Sequence, residues 1–177
     1  MRVSSEDAFL SFLQEAGIPY QYVGHPPVYT CEQADQYRPA MPGVSTKNLF
    51  LTDKKGRGFY LVVTDCEKKL NLKNLGSQLA IQKLHFASEQ GLEALLGVTP
   101  GAVTLLGLVN DTGHRVTLYM DADIWGAEAF LCHPLVNTAT LLLAKSDLER
   151  FLALTGHIVH VIEIQAADGC EPGTPET

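Results

Sequence analysis

The chain has 177 residues, 46% hydrophobic and 19% charged, enough for one compact domain with a full-sized core and without a sign of a second. No run approaches the roughly 18 to 20 apolar residues of a membrane span, and Met1-Arg2-Val3-Ser4-Ser5-Glu6-Asp7 lacks the apolar centre of a signal peptide; a cytoplasmic protein without membrane contact is expected. A net charge of −7 argues against a generic polyanion binder, yet Lys47 to His85 holds eight basic and three acidic residues, +5 against −12 elsewhere, a sector able to hold a polyanion locally or simply a solvated face.

In chain order, Ser4-Ser5-Glu6-Asp7 reads as a helix start, with Phe9, Phe12, Leu13 and Ala16 as the apolar stripe and Gly17 as the stop. After Pro19, Tyr20 to Val23 alternates like a strand, and Thr30-Cys31-Glu32-Gln33 resembles a capping box for a short helix reaching about Tyr37. A loop from Pro39 to Gly43 then delivers Lys47 to the mouth of the apolar run Leu49-Phe50-Leu51. A lysine there either snorkels to water or meets an anion. The runs Leu49 to Thr52 and Phe59 to Thr64 flank Lys54-Lys55-Gly56-Arg57-Gly58, a hairpin with a basic tip.

Asn71 caps a helix carrying Leu72, Leu75 and Leu79, and Leu84 to Ala87 reads as a strand. Ser88 caps a helix with Leu92, Leu95 and Leu96 that stops near Gly97, ahead of the turn Thr99-Pro100-Gly101. Two strands, Val103 to Val109 and Val116 to Met120, are expected to pair across Asn110-Asp111-Thr112-Gly113. A short helix around Ala122 to Glu128, strands over Ala129 to His133 and Thr138 to Leu143, a helix over Ser146 to Leu154 and a strand over His157 to Ile164 complete the order. The expected fold is α+β: one domain over residues 1–164, a mixed, mostly antiparallel sheet or partly closed barrel with surrounding helices. Residues 165–177, with Gly169, Pro172, Gly173 and Pro175, read as a disordered tail. Cys31, Cys66, Cys132 and Cys170 are scattered, without a Cys-x-x-Cys pair or a compact Cys/His cluster, and are read as free thiols with no metal or cofactor site.

Familiar catalytic signatures are missing: no Gly-x-Ser-x-Gly elbow, no Walker loop, no Gly-x-Gly-x-x-Gly and no His-Glu-x-x-His. An enzyme with this inventory would work by positioning, polarisation and water, as in hydrolysis of an activated ester. His133, in Cys132-His133-Pro134-Leu135-Val136-Asn137, interrupts a second apolar stretch and is either a satisfied core histidine or a polar group of a site. The other five histidines, including His25, read as surface or packing residues.

Four runs in order, Ser45 to Asp53, Leu96 to Thr104, Gly107 to Asp111 and His133 to Thr140, strongly resemble prolyl-tRNA editing-domain deacylases over most of residues 1–164. The resemblance implies hydrolysis of tRNA(Pro) mischarged with alanine, a tRNA acceptor end as partner, prolyl-tRNA synthetase as an associate, and a monomer or homodimer. It implies catalytic roles for Lys47, Asn48 and His133, with Thr46, Gly97, Pro100, Gly101 and Asn137 around the substrate. Lys47 would position and stabilise charge, Asn48 would supply directional hydrogen bonds, amides of the Gly97 to Gly101 turn would approach the carbonyl, and a small pocket would exclude proline. Asn74 and Leu105-Leu106 depart from the family pattern, the first touching tRNA contacts and the second pocket shape. A deacylase for Cys- or Ser-charged tRNA, or a non-catalytic module binding aminoacyl-tRNA or a synthetase, are the alternatives.

Overall fold

The computed structural model describes residues 2–37 and 42–167. Along the chain come α1 (Glu6–Glu15), β1 (Gln21–Gly24), α2 (Cys31–Gln36), β2 (Val44–Thr52), β3 (Phe59–Asp65), α3 (Leu72–Gln78), β4 (His85–Phe86) and α4 (Glu89–Leu96). A 3-10 helix (Leu105–Asn110) follows, then β5 (Val116–Asp121), α5 (Ala122–Trp125), β6 (Ala129–Cys132), β7 (Ala139–Ala144), α6 (Lys145–Thr155) and β8 (Val159–Ile162). Four caps are those written in the sequence, while α6 starts after Ala144 with no side-chain cap, one residue ahead of Ser146. Ser5, Thr30, Asn71 and Ser88 each accept a hydrogen bond from a first-turn amide of the helix they precede, and α4 ends at Gly97 in the left-handed region.

The strands form one sheet in the order β1-β7-β6-β2-β3-β5-β8, with β4 added alongside β2. Pairs β1/β7, β6/β7, β2/β3 and β2/β4 are antiparallel, whereas β2/β6, β3/β5 and β5/β8 are parallel. The mixed α+β sheet is as expected, but it does not close, and parallel pairing takes a larger part than the hairpin-rich reading allowed. Alternation along β2 and β3 divides the core: Phe50, Leu61 and Val63 join the larger cluster, Leu51 and Val62 a smaller one with Leu75, Leu84 and Ile164. None of the helices among the described residues is long and apolar enough to cross a membrane.

Four expectations are corrected. Lys47 lies inside a strand, because β2 begins at Val44, where Val44 and Ser45 pair with Phe130 and Leu131 of β6. Val103 to Val109 is not a strand: Thr104 Oγ1 accepts from Leu106 N and Asn48 Oδ1 from Leu105 N, which winds Leu105 to Asn110 into a 3-10 helix. β5 therefore pairs with β3 instead of a neighbouring hairpin strand. Ordered pairing continues past Ile164, since Ala166 bridges Leu70 and Ala167 N donates to Lys69 O; residues 168–177, including Cys170, lie outside the described residues, as does much of the Pro39 to Gly43 loop. Finally, Cys31 and Cys66 are not free thiols but a disulfide, with Cα atoms 5.9 Å apart. They lie 35 positions apart, so spacing carried no signal.

An ion pair between the half-buried Lys68 and the buried Asp121 fixes the turn after β3. Lys68 Nζ lies 2.6 Å from Asp121 Oδ2 and from Asp123 Oδ2, and 2.9 Å from Ile164 O; Thr64 Oγ1 donates to Asp121 Oδ2 at 2.6 Å. Burial works to raise the Asp121 pKa, but hydrogen bonds from Lys68 and Thr64 outweigh it and hold the carboxyl below the usual range. Asp121→Ala leaves the half-buried Lys68 ammonium with only the exposed Asp123 and Ile164 O, and is expected to cost about 2 kcal/mol in denaturant unfolding. Because the folded pKa is depressed, this contribution is present above the unfolded value of about 3.9 and is lost as pH falls through the folded one. Acid titration of the wild type and of Asp121→Asn checks the sign, the variant lacking that loss.

Candidate active site

The β2 strand, the residues following β6 and the α2 segment meet around a cavity of about 240 Å³. From β2 come Ser45, Thr46, Lys47 and Asn48; from the end of β6, Leu131, Cys132 and His133; from the α2 segment, Val28 to Cys31 with Ala34 and Asp35. Cys66, Gly101, Val103 and Thr140 complete the lining. Lys47, half-buried, donates from Nζ to Lys68 O at 2.5 Å. Burial pushes its pKa down, opposed by Asp65, so the ammonium is held less tightly protonated than a surface lysine. The carbonyl that receives it belongs to the turn anchored by Lys68 and Asp121.

Asn48 also touches the cavity but is largely committed to structure. Its Oδ1 accepts from Leu105 N at 2.9 Å, and Nδ2 reaches Thr46 Oγ1 at 3.4 Å. The Thr46 hydroxyl donates to Leu131 O at 3.1 Å, tying β2 to β6 where Lys47 enters the pocket.

His133 follows β6 in a tight turn: Leu135 N donates to His133 O, and Leu135 is held at φ 65°. A leucine there is strained, and the strain aims His133 while Leu135 itself is buried in the core. His133 Nδ1 lies 3.0 Å from Ala139 O. A carbonyl only accepts, so the neutral ring carries its proton on Nδ1 and leaves Nε2 as an acceptor. Burial lowers the His133 pKa, against the Ala139 carbonyl and with a smaller push from His25 in the same direction. The ring is therefore a neutral acceptor at neutral pH and not a donor to a substrate carbonyl.

The turn after α4 divides its expected residues. Gly101, at φ 87°, lines the pocket, close to the Tyr29 ring and the Asn137 amide. Gly97, at φ 69°, stops α4, and a side chain there would collide with Asn110, whose amide holds Val3 O and Leu96 O. Pro100 is exposed, and neither it nor Gly97 is part of the lining. Asn137 contributes its carbonyl to Val28 N at 3.0 Å, fixing the chain just before α2.

Sequence reasoning missed His25. Its ring sits edge-on to His133 at 6.5 Å, stacks on Tyr37 at 5.8 Å and meets the Thr140 hydroxyl at 2.9 Å. Nδ1 donates to Pro26 O at 2.8 Å, so Nε2 accepts from Thr140. It also missed the entire α2 wall, for which the capping box at Thr30 marked a helix but not what the helix faces. Among the described residues no group of three or more His, Cys, Asp or Glu is arranged to hold a metal ion.

Residues 25–151 match the aminoacyl-tRNA editing domain. The chain is 37% identical over 164 residues to the prolyl-tRNA editing protein ProX of Acetoanaerobium sticklandii, covering 93% of this chain and 100% of that one. It is 38% identical over 148 residues to prolyl-tRNA synthetase associated domain-containing protein 1 of Danio rerio, covering 82% and 80%. A solved structure proposed as a trans-editing enzyme for prolyl tRNA synthetase superposes with a TM-score of 0.69 at 22% identity, over 93% of this chain and 99% of that one, a likeness of fold.

Proposed function

The chain belongs to the aminoacyl-tRNA editing-domain family, and on that premise we propose that it is a trans-editing deacylase that hydrolyses mischarged tRNA(Pro), with Ala-tRNA(Pro) as its substrate. The carrying observation is the meeting of Lys47, His133 and Gly101 in one small cavity with apolar walls from Val28, Ala34, Val103 and Leu131. That space suits a methyl side chain beside an ester. Water attacks the ester carbonyl, and charge develops on its oxygen. Lys47 exchanges the Lys68 carbonyl for the substrate and stabilises that charge, while the exposed turn at Gly101 allows close backbone approach. His133 Nε2 accepts a hydrogen bond from the attacking water or from the ribose hydroxyl beside the ester, orienting it and taking up its proton. Asn48 and Thr46 act as positioning residues that hold β2 against the 3-10 helix and β6. Proline is refused because its ring does not fit the space that admits alanine, the second sieve of editing.

The rest of the tRNA needs a cationic surface. Lys68 is taken up by Asp121 and Asp123, but Lys54, Lys55 and Arg57 are exposed at the β2-β3 tip, about 20 Å along β2 from Lys47 at strand rise. We assign this tip to the acceptor-stem backbone. Replacing all three by alanine is expected to lower kcat/KM about tenfold at low salt and to flatten its dependence on log salt by about two to three units, with kcat little changed. An unchanged salt slope counts against this docking. Action in the cytoplasm and association with prolyl-tRNA synthetase belong to the same proposal, the latter on the names of animal relatives. Incubation with Ala-, Ser-, Cys- and Pro-charged tRNA tests specificity: alanine should be released fastest and proline retained.

A further inference from the structure

Helix α2 walls the substrate cavity, yet none of its residues is buried. Its own cap, Thr30 Oγ1 accepting from Gln33 N, shapes the turn but does not fasten it to the domain. Among the described residues, Val28 N donates to Asn137 O ahead of the helix, Tyr37 just past it stacks on His25, and from within the helix Cys31 is bonded to Cys66. Cys66 is well placed to act as an anchor. Its amide donates to Ser45 O at 3.2 Å, and two residues later Lys68 is held by Asp121, Asp123 and Ile164 O while its carbonyl receives Lys47. Both cysteines line the cavity and neither is fully buried.

We propose that the Cys31–Cys66 disulfide is a specificity-setting brace, holding the α2 wall against the anchored turn beside Lys47, and that a dithiol reductant opens the brace and relaxes the exclusion of proline. The inference rests on the deacylase reading above. In the opening step a dithiol's thiolate attacks one sulfur to give a mixed disulfide, and its second thiolate displaces the protein sulfur. Two electrons and two protons pass to the protein, leaving Cys31 and Cys66 as thiols and the reductant as a cyclic disulfide. Cys132, which touches the cavity but is otherwise buried, has its thiol pushed up to about 12 by that burial and stays out of this exchange. Bonds of this kind inside cells are commonly transient and redox-sensing.

The test compares kcat/KM for Ala-tRNA(Pro) and Pro-tRNA(Pro) before and after dithiothreitol, with non-reducing peptide mapping to follow the Cys31–Cys66 link. Reduction should lower the alanine-to-proline ratio by at least about tenfold. Cys31→Ser/Cys66→Ser should show the lowered ratio in both conditions. Partial unfolding would diminish both substrates equally and leave the ratio alone, so the ratio isolates positioning. Equal ratios in oxidised and reduced protein, or a link that never forms under oxidant, overturn the brace but not the deacylase. No release of amino acid in either state overturns the deacylase reading and the brace with it.

Discussion

Lys47→Ala should reduce kcat/KM for Ala-tRNA(Pro) by about 10² to 10³, the loss typical of removing one group that stabilises developing charge. The ammonium is the cation that β2 brings into the cavity, and its present partner is a neutral carbonyl, Lys68 O, which costs little to exchange for substrate. Burial lowers its pKa, and negative charge developing on the attacked ester favours the protonated form that stabilises it. Among the described residues Lys47 forms no salt bridge, and its removal should leave the thermal midpoint close to wild type, because the turn it contacts is secured independently by Lys68 and Asp121. Lys47→Met separates bulk from charge and should be as inactive as the alanine variant. Deacylation near the wild-type rate in either variant would remove Lys47 from the mechanism.

His133→Ala should cost about 10² to 10⁴ in kcat, the range of a positioned acid-base group. A second signature is its pH dependence. The folded pKa is lowered by burial, so the neutral acceptor persists through neutral pH, and activity should fall only on acidification below the ordinary value of about 6.5. Stability follows the same direction. Between the unfolded and the lowered folded value the unfolded chain binds more protons, so stability rises with pH across that window and is lost as pH falls through it. His133→Asn should abolish this limb in both profiles, leaving only the separate loss of stability at lower pH that belongs to Asp121. Survival of this limb in His133→Asn would assign the titration to another group.

Four of the helices were legible because each begins with a side chain whose function is local, whereas α6 starts after Ala144 with no side-chain cap. Ser5, Thr30, Asn71 and Ser88 satisfy amides two or three residues on, and such geometry does not depend on the rest of the fold. Lys47 and His133 were legible for a different reason, as polar groups breaking apolar runs. What decided the remainder lies far away in sequence. Asn48 captures the amide of Leu105, 57 positions on, and turns a β-like apolar run into a 3-10 helix. Pairing with β6 lengthens β2 backward past Lys47, a parallel contact no local pattern announces. His25 owes its place beside His133 to Thr140 and Tyr37, and Cys31 finds Cys66 only once α2 folds over the end of β3. The site is therefore half local signal and half tertiary consequence, and the α2 wall belongs wholly to the second half.

The most direct measurement follows amino-acid release from tRNA(Pro) charged with alanine or with proline by the purified, oxidised protein. Rapid loss of alanine over the spontaneous rate and retention of proline are expected, with Lys47→Ala reduced to background. Ester retained on Ala-tRNA(Pro) at the spontaneous rate, even with the tRNA bound, would contradict the deacylase reading and leave a binding module in its place.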